Sequence, residues 1–120
     1  MRYSKYSGRG NFFSLPNELF FLNIGHGVIT VYAYLLYCED RRTHQCHPSY
    51  RTISDVVHLT VSTVMKHITK LADRQFITVE STSYIDKRGM KWNGNNLYTI
   101  LPIQMAMDYC YQQQLLRLEA

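Results

Sequence analysis

The stretch from Ser49 to Ile77, SYRTISDVVHLTVSTVMKHITKLADRQFI, constrains the fold more than any other part of the chain. It reads as a short helix, a tight turn, a longer helix and the start of a strand. Ser49 is a good N-cap, and a helix begun there turns Ile53, Val56 and Val57 inward. His58 and Leu59 make the turn. Thr60 caps a second helix whose apolar positions Val61, Val64, Ile68 and Leu71 recur at helical spacing. Ser62, Thr63, Lys66, His67 and Lys70 fall on its other side, with no carboxylate among them. A polar, cationic face of this kind suits a DNA groove, because it donates to base edges and does not repel phosphate.

The plainer reading is an ordinary pair of amphipathic helices in a small α-rich domain. The residues that follow count against it. Phe76 to Thr82 alternates and is rich in β-branched residues, as a strand is, and Leu97 to Leu101 is a second run of that kind. Between them, residues 83 to 96 form a polar, basic, glycine-containing loop that includes Asp86, Lys87, Arg88, Gly89, Lys91 and Trp92. A strand, a basic loop and a returning strand directly after the second helix have the layout of a wing.

The rest of the chain fits around this unit. Its 120 residues suffice for one core. Phe12 to Phe20 is an apolar lead-in expected to pack on the body. Gly25 to Cys38 is a long helix burying Val28, Val31, Tyr32, Leu35 and Leu36. Tyr32, Tyr34 and Tyr37 are too closely spaced on it to be core together. Thr43 to His47 is expected as a short extra strand beside the wing strands. A last helix runs from Ile103 to about Leu118, entered through Pro102. The fold class expected is therefore mainly α with a small antiparallel sheet (α+β). Its organisation is a flexible basic arm over 1–11, a main domain over 12–103 and a C-terminal helix over 104–120. That helix carries Met105, Met107, Tyr109, Tyr111, Leu115, Leu116 and Leu118 on more than one side, which suggests a homodimer formed through it.

Charge placement says more than the formal net charge of +4. Residues 1–11 hold Arg2, Lys5 and Arg9 and no acid. Residues 41–74 hold six cations against Asp55 and Asp73, and residues 83–96 hold Lys87, Arg88 and Lys91 against Asp86. The remainder is net acidic. Basic charge thus gathers on the arm, the helix pair and the wing, where it supplies sequence-independent affinity for a polyanion. No apolar stretch is long enough to span a bilayer and the start lacks a signal-peptide core, so a cytoplasmic protein is expected. Three scattered cysteines, Cys38, Cys46 and Cys110, give no disulfide framework.

These features together resemble the winged helix-turn-helix superfamily. More closely, FFSLPNELF, ITVYAYLLYCEDRRTHQCHPSYRTI and NLYTILPI look like small helix-turn-helix proteins of Gram-positive bacteria and their mobile elements. They are also similar to the N-terminal domains of plasmid replication initiators and primosomal loaders. The resemblance implies base reading by Val61, Ser62, Thr63, Lys66, His67 and Lys70, and phosphate contacts by Ser49, Tyr50, Arg51, Lys87, Arg88 and Lys91. It also puts glycine where this chain has His58 and Gln75, two positions that need positive φ if the geometry is kept. A non-glycine residue there costs about 1 kcal/mol.

Other chemistries are weaker. Cys38, His44, Cys46 and His47 match no common zinc spacing, and no metal or cofactor is expected. Cys46 with His47 or His67 could be written as a nucleophile pair, but no orienting acid or oxyanion site accompanies it, so an enzyme is not expected. The expectation is a sequence-specific, double-stranded DNA-binding protein, either a transcriptional regulator or a replication-initiation factor. Replication or conjugation proteins are further candidate partners, and no membrane is involved. The alternative is a winged-helix module that binds proteins of a replication or mobile-element complex without DNA specificity.

Overall fold

The computed structural model describes residues 12–119, so the arm expected over 1–11 lies outside the described residues. The elements run α1 (His26–Cys38), β1 (Gln45–Cys46), α2 (Tyr50–Val57), α3 (Val61–Asp73), β2 (Ile77–Glu80), β3 (Ser83–Ile85), β4 (Lys91–Asn93), β5 (Leu97–Ile100) and α4 (Ile103–Glu119). A 3₁₀ turn over Asn17–Phe21 precedes them.

Three helices enclose the core. Val28, Val31, Tyr32 and Leu35 of α1 meet Ile53 of α2 and Val64, Ile68 and Leu71 of α3, all buried. The sheet closes the open side in the antiparallel order β1-β5-β2. Cys46 stands opposite Tyr98 and Ile77 opposite Ile100, and Cys46, Tyr98 and Ile77 are buried. Tyr32 and Phe76 join helix to sheet edge-to-face at 5.3 Å. The short strand expected over 43–47 is thus present as β1. This arrangement is a winged helix-turn-helix with an added C-terminal helix.

Several details depart from the pattern read in sequence. Residues 83–96 are not a plain loop, because β3 and β4 pair as a separate hairpin with Tyr84 opposite Trp92. Val56 and Val61 are 50% and 40% exposed, since each sits in an end turn of its helix and to one side of the buried line. The lead-in packs only in part. Leu19, Leu22 and Ile24 are buried, whereas Phe12, Phe13, Phe20 and Phe21 remain exposed. The tyrosines of α1 separate as their spacing requires, with Tyr32 buried, Tyr34 half-buried and Tyr37 exposed.

On α4, Ala106 is buried while Ile103, Met107 and Cys110 pack beside the core. From Tyr111 onward every described residue is exposed, because the body packs only against the first turns of the helix. No helix among the described residues is long and apolar enough to cross a membrane.

Candidate nucleic-acid interface

The helix pair is set by two matching caps. Ser49 Oγ accepts from the Thr52 amide at 3.0 Å, and Thr60 Oγ1 accepts from the Thr63 amide at 3.3 Å. Each satisfies an N–H that the first helical turn leaves without a partner. Between the helices His58 takes the left-handed conformation at φ 59°, and the Ser54 hydroxyl donates to the Leu59 carbonyl across the turn. At its far end α3 stops in a Schellman arrangement. The Phe76 amide reaches Leu71 O at 3.0 Å and the Gln75 amide reaches Ala72 O at 3.2 Å. Gln75 holds the left-handed position at φ 67°. Both positions at which the resemblance implied positive φ therefore have it.

The candidate base-reading residues divide into two groups. Ser62 and Lys66 are exposed on the side of α3 opposite Val64, Ile68 and Leu71, with Val61 and Thr63 flanking them at the front of the helix. His67 and Lys70 turn instead toward the start of α1. Lys70 Nζ donates to the Ile24 carbonyl at 3.0 Å. His67 lies so close to Gly27 that a Cβ there would sit 2.6 Å from its Nε2, so the ring in this position requires glycine. Burial lowers the His67 pKa, with the charges of Lys70 and His26 acting in the same direction. Neither residue therefore lies on the outward face expected for it, because the approach of α1 claims their flank of the helix.

Two further residues, one apolar and one polar, join the outward ridge. Met65, 46% exposed, and Thr69 stand with Ser62 and Lys66 at spacings of three, four and seven. The spacing is present in the sequence, but an apolar Met65 reads there as a core residue rather than as part of a reading face. Exposed Asp73, seven residues beyond Lys66, adds a carboxylate at the end of the ridge.

The wing tip is ordered by one side chain. Asp86 Oδ1 accepts from the amides of Arg88 and Met90, both at 2.9 Å, and Oδ2 accepts from the Trp92 indole at 2.9 Å. The Trp92 bond, then the amide bonds, hold this carboxyl below its usual pKa. Gly89 supplies the φ of 81° that closes the turn. Lys87, Arg88 and Lys91 are all exposed around this frame.

Between wing base and helix pair lies a groove of about 380 Å³ lined by Ser49, Tyr50, Arg51, Val61, Asn95 and Asn96 among others. The three candidate phosphate ligands at the start of α2 are thereby brought together beside the front of α3. Asn95 Nδ2 ties the groove to the His47 carbonyl at 3.2 Å, and Asn96 Nδ2 donates to Tyr50 Oη at 2.8 Å. In sequence both asparagines read as plain loop residues. Among the described residues the lysines and arginines make one ion pair, Arg42–Asp40, so Arg51, Lys66, Lys87, Arg88 and Lys91 stay unneutralised. Among the described residues no three His, Cys, Asp or Glu side chains are grouped to hold a metal ion.

Residues 22–77, from the end of the lead-in through α3 to the first residue of β2, match a family described as a helix-turn-helix domain. Among solved structures, a possible transcriptional regulator from Methanosarcina mazei Go1 is similar in fold. It shares 21% sequence identity at a TM-score of 0.52, covering 82% of this chain and 76% of that one. No curated protein matches.

Proposed function

We propose that this chain is a sequence-specific, double-stranded DNA-binding regulator that acts by binding and carries out no catalysis. In this reading α3 enters the major groove with Ser62, Met65, Lys66 and Thr69 toward the bases. The start of α2 and the wing lie on the flanking phosphates, through Ser49, Tyr50 and Arg51 on one side and Lys87, Arg88 and Lys91 on the other. The observation that carries it is the single surface on which an outward polar ridge is bordered by unneutralised cations. The helix-turn-helix match over 22–77 supports the same reading, as does the likeness to a possible regulator of transcription. Control of transcription is the role these similarities favour over replication initiation, and action in the cytoplasm goes with it.

A second copy is part of the proposal. One winged helix reads few base pairs, and the exposed Tyr111, Leu115, Leu116 and Leu118 of α4 offer a face through which two subunits could span paired half-sites. Selection from a random duplex pool, followed by titration of the winning site at two salt concentrations, tests the reading. A preferred site and an affinity that falls steeply with salt are expected. No enrichment and no salt slope would sink it. Light scattering at tens of micromolar decides the dimer.

A second reading, a module that binds proteins, is favoured by one observation. Phe13, Tyr34, Tyr37 and Val56 form an aromatic shelf, with Tyr37 edge-on to Phe13 and stacked on Tyr34, both at 6.0 Å. Absence of DNA binding by the wild-type chain would hand the function to this shelf.

A further inference from the structure

A cavity lies where the lead-in, the end of α1, the end of β5 and the start of α4 meet, lined by none of the residues proposed to contact DNA. It measures about 540 Å³, within the range of small-molecule sites. Its walls are mostly apolar, with Leu15, Pro16, Leu36, Leu101, Pro102 and Ile103 among them. Its polar groups are Ser14, Tyr32, Glu18, Glu39 and His44, and no lysine or arginine among the described residues lines it.

In a chain whose net charge is +4, a cavity with two carboxylates and no permanent cation has a definite preference. Glu39 makes that preference specific. Its Oε2 is shut off from solvent and accepts no hydrogen bond among the described residues. The neighbouring His44 Nδ1 stands 3.6 Å away, beyond hydrogen-bond reach, and that ring is largely exposed. An acceptor without a donor costs free energy, and a donor entering the cavity recovers it once the carboxylate turns to meet it. A cationic donor recovers the most, since charge-assisted hydrogen bonds are the strong ones.

We infer that this cavity binds an amphiphilic amine, its primary ammonium donating to Glu39 and its apolar body lying against Leu15, Leu36, Leu101 and Ile103. An anion is disfavoured by both carboxylates, and a neutral alcohol leaves the charge uncompensated. The site stands apart from DNA binding and does not depend on it.

The test uses the full chain without DNA. Titration with 2-phenylethylammonium at millimolar concentrations, followed by amide NMR, should give saturable shifts clustered at Leu36, His44 and Leu101. The isosteric 2-phenylethanol should bind about tenfold more weakly, the scale of one charge-assisted hydrogen bond. The anion 3-phenylpropionate should bind more weakly still. Glu39→Gln should lower amine affinity to that of the alcohol. Equal affinity of amine and alcohol on the wild type would overturn the inference, as would tighter binding of the anion or the absence of saturable shifts. If Glu39→Gln does not fold, the comparison of the three probes on the wild type decides.

Discussion

The second helix of the motif and the wing both present exposed cations, yet they are supported in opposite ways. Helix α3 is anchored through Val64, Ile68 and Leu71 in the shared core and is stopped at both ends by caps. The wing hairpin contributes nothing to that core, and all six residues of β3 and β4 are exposed. Its order comes from its own ladder and the bonds converging on Asp86. Side chains on a packed helix are held to fixed positions, as base reading demands, whereas a self-ordered hairpin needs only to lay charge along a backbone. In the proposed docking, the difference assigns precise reading to the helix and tolerant clamping to the wing.

The largest test of this contrast is stability. Ile68→Ala, which empties a fully packed site under the ridge, should destabilise the chain by about 2–5 kcal/mol in urea. Trp92→Ala should change global unfolding by about 0.5 kcal/mol or less, although the wing loses its tie to Asp86. Comparable destabilisation in the two variants would mean that the wing is part of the cooperative core.

Next in size is the division of labour on DNA. Ser62→Ala and Lys66→Ala, where each residue bonds well to a base edge, should each cost about 1–3 kcal/mol on the preferred site and far less on scrambled duplex. Replacing Lys87, Arg88 and Lys91 together by alanine should weaken binding to every duplex alike. It should also flatten the salt dependence by about 0.9 in slope for every phosphate that is no longer neutralised. A wing variant that loses discrimination while the helix variants keep it would reverse the assignment.

The turn that orients α3 offers a smaller effect of opposite sign. His58 is left-handed at φ 59°, so His58→Gly should raise stability by up to about 1 kcal/mol, and Gln75→Gly should do likewise. A lower melting temperature for either glycine variant would show that its side chain contributes more than its backbone strain costs.

The smallest effect is pH-dependent. The His67 pKa is lowered in the folded chain, so below its ordinary value of about 6.5 the unfolded chain binds the extra proton first. Stability should therefore decline as pH falls from about 6.5 toward the lowered value and be insensitive to this residue above it. His67→Asn should flatten that part of the profile, measured by thermal melts across the window.

What the sequence by itself determined were features settled within one turn or one pair of neighbouring strands. Ser49 and Thr60 cap the amides three residues on, Val64, Ile68 and Leu71 share a face by period alone, and β-branched runs become β2 and β5. The order at the wing tip is local too, since Asp86, Gly89 and Trp92 lie within seven consecutive residues, but a loop glycine signals freedom until its partners are known. The tertiary structure alone decided which polar side chains on α3 stay free. Lys70 is held by a carbonyl 46 residues away and His67 by the approach of Gly27, and helical period carries no record of either. The same limit applies to α4. Its apolar residues announce burial on several sides, but the body reaches only its first turns, because burial depends on what other segments bring within packing distance.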